Sequence, residues 1–190
     1  MTTKIFMIAL IVVPYILREL THWVTQLGQP KGKRVGGVVS VCIWIPSHLV
    51  LLVLAVHAVV TEPISWLGWI GYAIYCLAIL LRILSFQALR TFYSPDVVIR
   101  DGHRVIETGP YQYIRHPLHT ALIFELLGLW MMSRVWYLLS LVLLSFLAHL
   151  IRSRREEDFL EHYLGESYRR YRNKTWDALD LFPGRKKEQR

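Results

Sequence analysis

The run PLHTALIFELLGLWMM, residues 117–132, is followed after only Ser133 and Arg134 by VWYLLSLVLLSFLAHLI, residues 135–151. Two apolar runs with so short a polar break between them read as helices folded back on each other. The first run is short for crossing ~30 Å of hydrocarbon, so the pair is expected to form a tight helical hairpin that dips in and returns. Three further apolar segments precede it: residues 5–27, punctuated by Pro14, Arg18 and Glu19; residues 36–60; and Ile64 to about Leu89. Gly28 and Pro30 mark the first connection, Thr61-Glu62-Pro63 the second. The expected fold class is all-α: a polytopic membrane protein of about five transmembrane helices, the last two as the hairpin. An amphipathic interfacial helix should follow over 152–172, with Phe159, Leu160, Tyr163, Leu164, Tyr168 and Tyr171 broadly on one side.

Composition agrees with one integral-membrane domain over 1–190, three N-terminal spans lying in 1–90. The chain is 54% hydrophobic with a mean hydropathy of +0.34, too apolar for an ordinary soluble domain. Basic residues cluster at segment ends: Lys31, Lys33 and Arg34, the 91–116 loop, and the C-terminal helix. The positive-inside rule places these on the cytoplasmic face, with the 61–63 turn and the N-terminus outside. Arg134 on an outer turn is one exception. A net charge of +8 at a membrane face suits anionic lipid better than nucleic acid. Cys42 and Cys76 fall inside apolar blocks and read as packing, not as a disulfide or metal site. No cleavable signal is expected, since no small-residue cleavage site follows the first apolar run.

Two polar clusters flank the paired runs: Gly109-Pro110-Tyr111-Gln112-Tyr113-Ile114-Arg115-His116-Pro117 before them and Arg152-Ser153-Arg154-Arg155-Glu156-Glu157 after. A turn at 133–134, with equal rise on both sides, sets Arg115 level with Arg152, His116 with Ile151, and Leu118 with His149. His149, Arg152 and Glu156 share a helix face. Pro117 suits a first helical position. Interfacial Arg, His and Glu often only anchor helices. Converging at one depth, however, these cations, carboxylates and imidazoles suit a zwitterionic cofactor. Deeper in the apolar runs, Arg82 and Glu125 should lie at equal depth and pair, because either charge alone in hydrocarbon is expensive.

The order His103-Arg104-Val105-Ile106, Gly109-Pro110-Tyr111, Arg115-His116-Pro117, Arg152 with Glu156-Glu157, then Gly165-Glu166-Ser167-Tyr168 and Tyr171 resembles the isoprenylcysteine carboxyl methyltransferase family. It is also similar to the related phospholipid methyltransferases. The resemblance covers about residues 88–183. It implies methyl transfer from S-adenosylmethionine at the cytoplasmic face, with cofactor binding and catalysis in 91–190. By that resemblance His103, Val105, Ile106, Tyr111, His116, Pro117, Leu118, His119 and Glu156 bind the cofactor, and Arg152 orients a substrate carboxylate. The family usually carries Tyr two residues after its His-Pro pair; this chain has His119.

An already ionised carboxylate needs positioning and exclusion of water but no base, and Arg152 with Arg115 would orient it. An amine acceptor such as phosphatidylethanolamine needs a base, for which Glu157, His119 or His149 would serve. Two converging Arg favour the carboxylate, so the expected partners are a prenylated cysteine or another lipophilic small molecule, and membrane lipid. Its tail should enter between spans, past Trp66, Trp69, Tyr72, Tyr75, Phe86, Phe124 and Trp130, although such residues more often anchor or pack. Two other classes compete: an NADPH-dependent reductase of the sterol-reductase kind, with a similar Arg-rich, acidic and Tyr-rich end, and a non-enzymatic membrane scaffold.

Overall fold

The computed structural model describes residues 2–26, 33–34, 65–89, 98–99, 105–133 and 135–177, with positions 46, 50, 53, 54, 57 and 92. The fold is helical. In chain order come α1 (Thr2–Gln26), α2 (Trp66–Leu89), α3 (Pro117–Ser133), α4 (Leu139–Leu164) and α5 (Glu166–Lys174). A two-residue antiparallel pairing joins β1 (Lys33–Arg34) to β2 (Val98–Ile99). Most of the expected second segment, residues 36–60, lies outside the described residues.

Among the described residues, α2 is the one helix long and apolar enough to cross a membrane; α3 is apolar but shorter. Ser65 starts α2 by accepting the Gly68 N–H at 3.2 Å, the bond of a helix N-cap. The core lies where α2 and α3 pack, with Tyr75, Ile79, Leu122, Leu126, Leu129 and Met132 joined by Ile11 of α1 and Val142 of α4. The Tyr75 hydroxyl donates to the Ile11 carbonyl at 3.1 Å, in the turn before Pro14, where the missing proline N–H weakens the helix ladder. The outward faces stay apolar: Trp66, Leu77, Leu80, Leu143, Leu144, Leu147 and Ile151 are all exposed. Of the aromatic residues expected along a lipid route, Tyr75 and Phe86 are core, while Trp66, Trp69 and Phe124 face outward.

Helices α2 and α3 approach backbone to backbone at Gly71 and Gly128. A Cβ at Gly128 would stand 2.5 Å from the Gly71 carbonyl oxygen, and one at Gly71 2.6 Å from the Gly128 carbonyl oxygen. Small residues permit such close crossing of apolar helices and let the two backbones pack in dispersion contact. Gly128→Ala is therefore expected to force the helices apart and destabilise the protein by roughly 1–3 kcal/mol, the usual cost of overpacking. Thermal melting of the detergent-solubilised variant checks this; an unchanged melting temperature would show that the crossing is loose.

Two expectations about α4 are corrected. Residues 152–172 do not form a separate interfacial helix. Helix α4 runs unbroken from Leu139 through Arg152 to Leu164, because nothing at the apolar-to-charged boundary stops a helix. The break comes at Gly165, whose φ of +55° favours glycine, and α5 starts afresh. The turn between α3 and α4 is also longer than Ser133-Arg134. Ser133 Oγ accepts the Val135 N–H at 3.3 Å, the Trp130 indole N–H donates to the Val135 carbonyl at 3.1 Å, and a 3₁₀ turn (Trp136–Leu138) precedes α4. This moves the pairing of α4 with the start of α3 by more than a turn.

Candidate active site

The 3₁₀ turn Gly109–Gln112 and the His-Pro turn after it are clamped by the C-terminal segment. Gly109 opens the turn at φ +58°. The Tyr171 hydroxyl of α5 donates to the Tyr111 carbonyl at 2.8 Å. The Arg115 N–H donates to the Trp176 carbonyl and the Trp176 N–H to the Tyr113 carbonyl, both at 2.9 Å. Pro117 then begins α3, where its lack of an N–H costs nothing, and the His116 carbonyl accepts the Thr120 N–H.

This framework brings the first turn of α3 against the charged half of α4. Glu157, 1% exposed, lies with Oε1 2.8 Å from Arg115 Nε and 3.5 Å from His116 Nε2. Arg115 Nη1 also donates to the carbonyls of Arg172 (2.8 Å) and Thr175 (3.1 Å), at the end of α5. Arg115 was expected level with Arg152. It instead pairs with Glu157 and holds the C-terminus of α5, where a cation also suits the helix dipole. One turn further along α3, His119 Nδ1 is 2.8 Å from Ser153 Oγ, and His119 Nε2 is 4.0 Å from Glu156 Oε2. The rings of His116 and His119 stack at 5.4 Å, and His149 follows at 5.0 Å from His119. The charge of Arg152 bears on both His119 and His149. In the apolar half of the bundle Arg82 Nη1 donates to Glu125 Oε1 at 3.0 Å with both side chains buried, as the depth argument required.

The electrostatics follow from burial among unlike charges. Burial pulls the His116 imidazole down, but the adjacent Glu157 carboxylate, with the charges of Glu156 and Asp177, outweighs it, and the net direction is up. Burial pushes the Tyr168 phenol up, Glu157 and Glu156 adding to it, so Tyr168 stays protonated. Its buried hydroxyl has no hydrogen-bond partner among the described residues.

The sequence-named residues therefore converge, with exceptions. His103 lies outside the described residues; Val105 and Ile106 are half-buried and non-helical beside the turn. Tyr111, His116, Pro117 and His119 are buried, and Leu118, Arg152 and Glu156 are half-buried. Sequence reasoning missed Ser153 and Asp177. Ser153 follows His149 by one helical turn, a spacing that signals a shared face; Asp177 carries no such signal.

Two groups bring potential metal-ligand atoms within 4.8 Å of one another: His116, His119 and Glu156, and His116, Glu157 and Asp177. In the second, the Arg115 guanidinium already supplies positive charge to Glu157. The donor set fits a zwitterionic nucleoside better. Half-exposed Glu156 can accept from an ammonium or ribose hydroxyls, while the orphaned Tyr168 hydroxyl and the His116 and His119 imidazoles offer donors.

The sequence model of the isoprenylcysteine carboxyl methyltransferase (ICMT) family matches residues 69–162. That span runs from α2 through most of α4 and ends before α5. A curated relative, the protein-S-isoprenylcysteine O-methyltransferase of Schizosaccharomyces pombe (strain 972 / ATCC 24843), is 29% identical over 157 residues, covering 80% of this chain and 61% of the relative. The chain thus spans about three fifths of that relative's length.

Proposed function

We propose that this chain, whose residues 69–162 match the isoprenylcysteine carboxyl methyltransferase family model, is an integral-membrane S-adenosylmethionine-dependent methyltransferase that O-methylates a prenylcysteine-like or other lipophilic carboxylate. One observation carries this reading: His116 and His119 at the start of α3 meet Glu157 and Glu156 of α4 in one cluster of imidazoles and carboxylates. The name of the fission-yeast relative supports the carboxylate acceptor.

The membrane arrangement belongs to the same proposal: one domain over 1–190, about five spans with three in 1–90, and α3 with the apolar half of α4 as a hairpin. The exposed apolar faces of α2 and α4 support lipid contact. The basic C-terminal end supports a cytoplasmic site.

Glu156, His119, His116 and Tyr168 hold the cofactor, with Tyr111, Pro117 and Leu118 shaping the turn beside it; His103, Val105 and Ile106 are assigned to it through the family resemblance. When bound, S-adenosylmethionine supplies a methyl group on a positively charged sulfur. Arg152 would orient the acceptor carboxylate toward the methyl group that the bound cofactor would supply. A methyl ester and S-adenosylhomocysteine result, and no proton changes hands. Glu157 acts through Arg115 and His116, fixing the turn that carries the cofactor-facing imidazoles. Alignment and water exclusion are the main tasks left to the protein.

Calorimetry on purified protein should detect S-adenosylhomocysteine binding and none of NADPH. Labelled methyl groups should pass to N-acetyl-S-farnesylcysteine and not to phosphatidylethanolamine. NADPH binding alone would indicate a reductase, and transfer only to the amine lipid would overturn the carboxylate assignment.

A further inference from the structure

His149 is buried to 1% exposure in α4, and neither of its ring nitrogens has a hydrogen-bond partner among the described residues. A buried imidazole left this way forgoes two bonds that it would make in water, which native interiors seldom tolerate without a ligand or an ordered water. Its position says which ligand. His149 ends the row of three imidazoles that begins with His116 beside Glu157 and passes through His119, itself fixed by Ser153. The groups that the methyltransferase reading gives to the cofactor, Glu156 and Tyr168 with His116 and His119, gather at the first two rings of that row. Glu156 Oε2 lies 4.0 Å from His119 Nε2, and the charges of Glu156 and Glu157 bear on His116 and Tyr168. The charges that bear on His149 are instead those of Arg152 and Arg82. Arg152 follows His149 by three residues on the same helix face, and its positive charge bears on the ring.

We infer that His149 is a specificity-determining residue that donates a ring N–H to the acceptor's carboxylate, beside the charge of Arg152. This rests on the methyltransferase reading above and extends it to a residue that the reading leaves unused. A neutral imidazole carries one donor and one acceptor, so it takes a carboxylate oxygen without adding a second full positive charge. The bond is charge-assisted and short-range, which selects an ionised acid over its ester. It also favours release of the product, since the methyl ester has lost the anion that the N–H and Arg152 attract.

The experiment compares wild type, His149→Phe and His149→Gln in one detergent. Calorimetry measures S-adenosylhomocysteine affinity, and kinetics measure KM for N-acetyl-S-farnesylcysteine. His149→Phe, which keeps bulk but no donor, should raise the acceptor KM roughly tenfold or more, the loss of one hydrogen bond to a charged group. His149→Gln, with an amide donor, should recover most of that. Both should hold S-adenosylhomocysteine within about twofold of wild type, well under the change a lost hydrogen bond brings. Should His149→Phe fail to fold, the His149 ring resonance of labelled wild type, assigned by its loss in His149→Gln, should shift on adding the acid and not on adding its methyl ester. An unchanged acceptor KM in both variants, an equal fall in S-adenosylhomocysteine affinity, or a ring resonance indifferent to the acid would overturn the inference alone. Absence of S-adenosylhomocysteine binding to wild type would overturn the methyltransferase reading first, and this inference with it.

Discussion

Glu157→Gln is expected to remove about 3 kcal/mol of stability and roughly a hundredfold of methyl-transfer activity. The substitution keeps shape and removes charge. It leaves the Arg115 guanidinium buried against a neutral amide, and breaking one side of a buried ion pair costs far more than the pair contributes net. The activity loss follows from position. Glu157 contacts both Arg115, which holds the end of α5, and His116, which opens α3, so its charge sets how the turn and α5 meet.

The same substitution has a pH signature. His116 is raised in the folded protein by the surrounding carboxylates, chiefly Glu157, against the opposing pull of burial. A histidine raised on folding contributes its full stabilisation below the unfolded value of ~6.5 and loses it as pH climbs through the folded value. The wild-type melting temperature should therefore fall as pH rises beyond the ordinary histidine range, and the slope should flatten in Glu157→Gln. Melting curves from pH 5 to 9 decide it. Parallel slopes in the two proteins would show that His116 does not depend on Glu157.

How far this was legible in the sequence depends on what each residue demands. Arg82 and Glu125 were readable because an isolated charge in an apolar run requires an opposite charge at its own depth, and that depth was counted eight residues back from Arg90 and eight on from Pro117. The meeting of His116 and His119 with Glu156 and Glu157 followed from two apolar runs sharing one short break. The register did not. It depends on backbone bonds around Val135 that convert a nominal two-residue break into a 3₁₀ turn, and so Arg115 meets Glu157 where Arg152 was expected. The partners of Arg115 in α5 were hidden for a similar reason: carbonyl groups at a helix end belong to every sequence and advertise no position. The continuity of α4 past Arg152 was misread because a change from apolar to charged residues marks a change of solvent, while only Gly165 marks a change of backbone.

The buried Arg82–Glu125 pair supports the second large expectation. Arg82→Met alone and Glu125→Leu alone should each destabilise the protein by about 3–5 kcal/mol, since each leaves its partner's charge within an apolar interior. The double variant should recover nearly all of that loss, because two packed hydrophobic side chains avoid the desolvation that the ion pair only offsets. A double-mutant cycle read by thermal melting would then give a coupling of several kcal/mol, at the top of the range for residues in contact. Arg82 also sits 5.8 Å from the Phe86 ring centroid, a contact that methionine replaces by sulfur–aromatic packing. Additive losses in the double variant would mean that each charge is satisfied separately, by solvent or other groups, and that the pair adds nothing to the apolar packing of α2 on α3. Recovery of stability without recovery of acceptor turnover would give the pair a second role: the Arg82 charge acts on His119 and His149, and its removal would then weaken the site through those imidazoles.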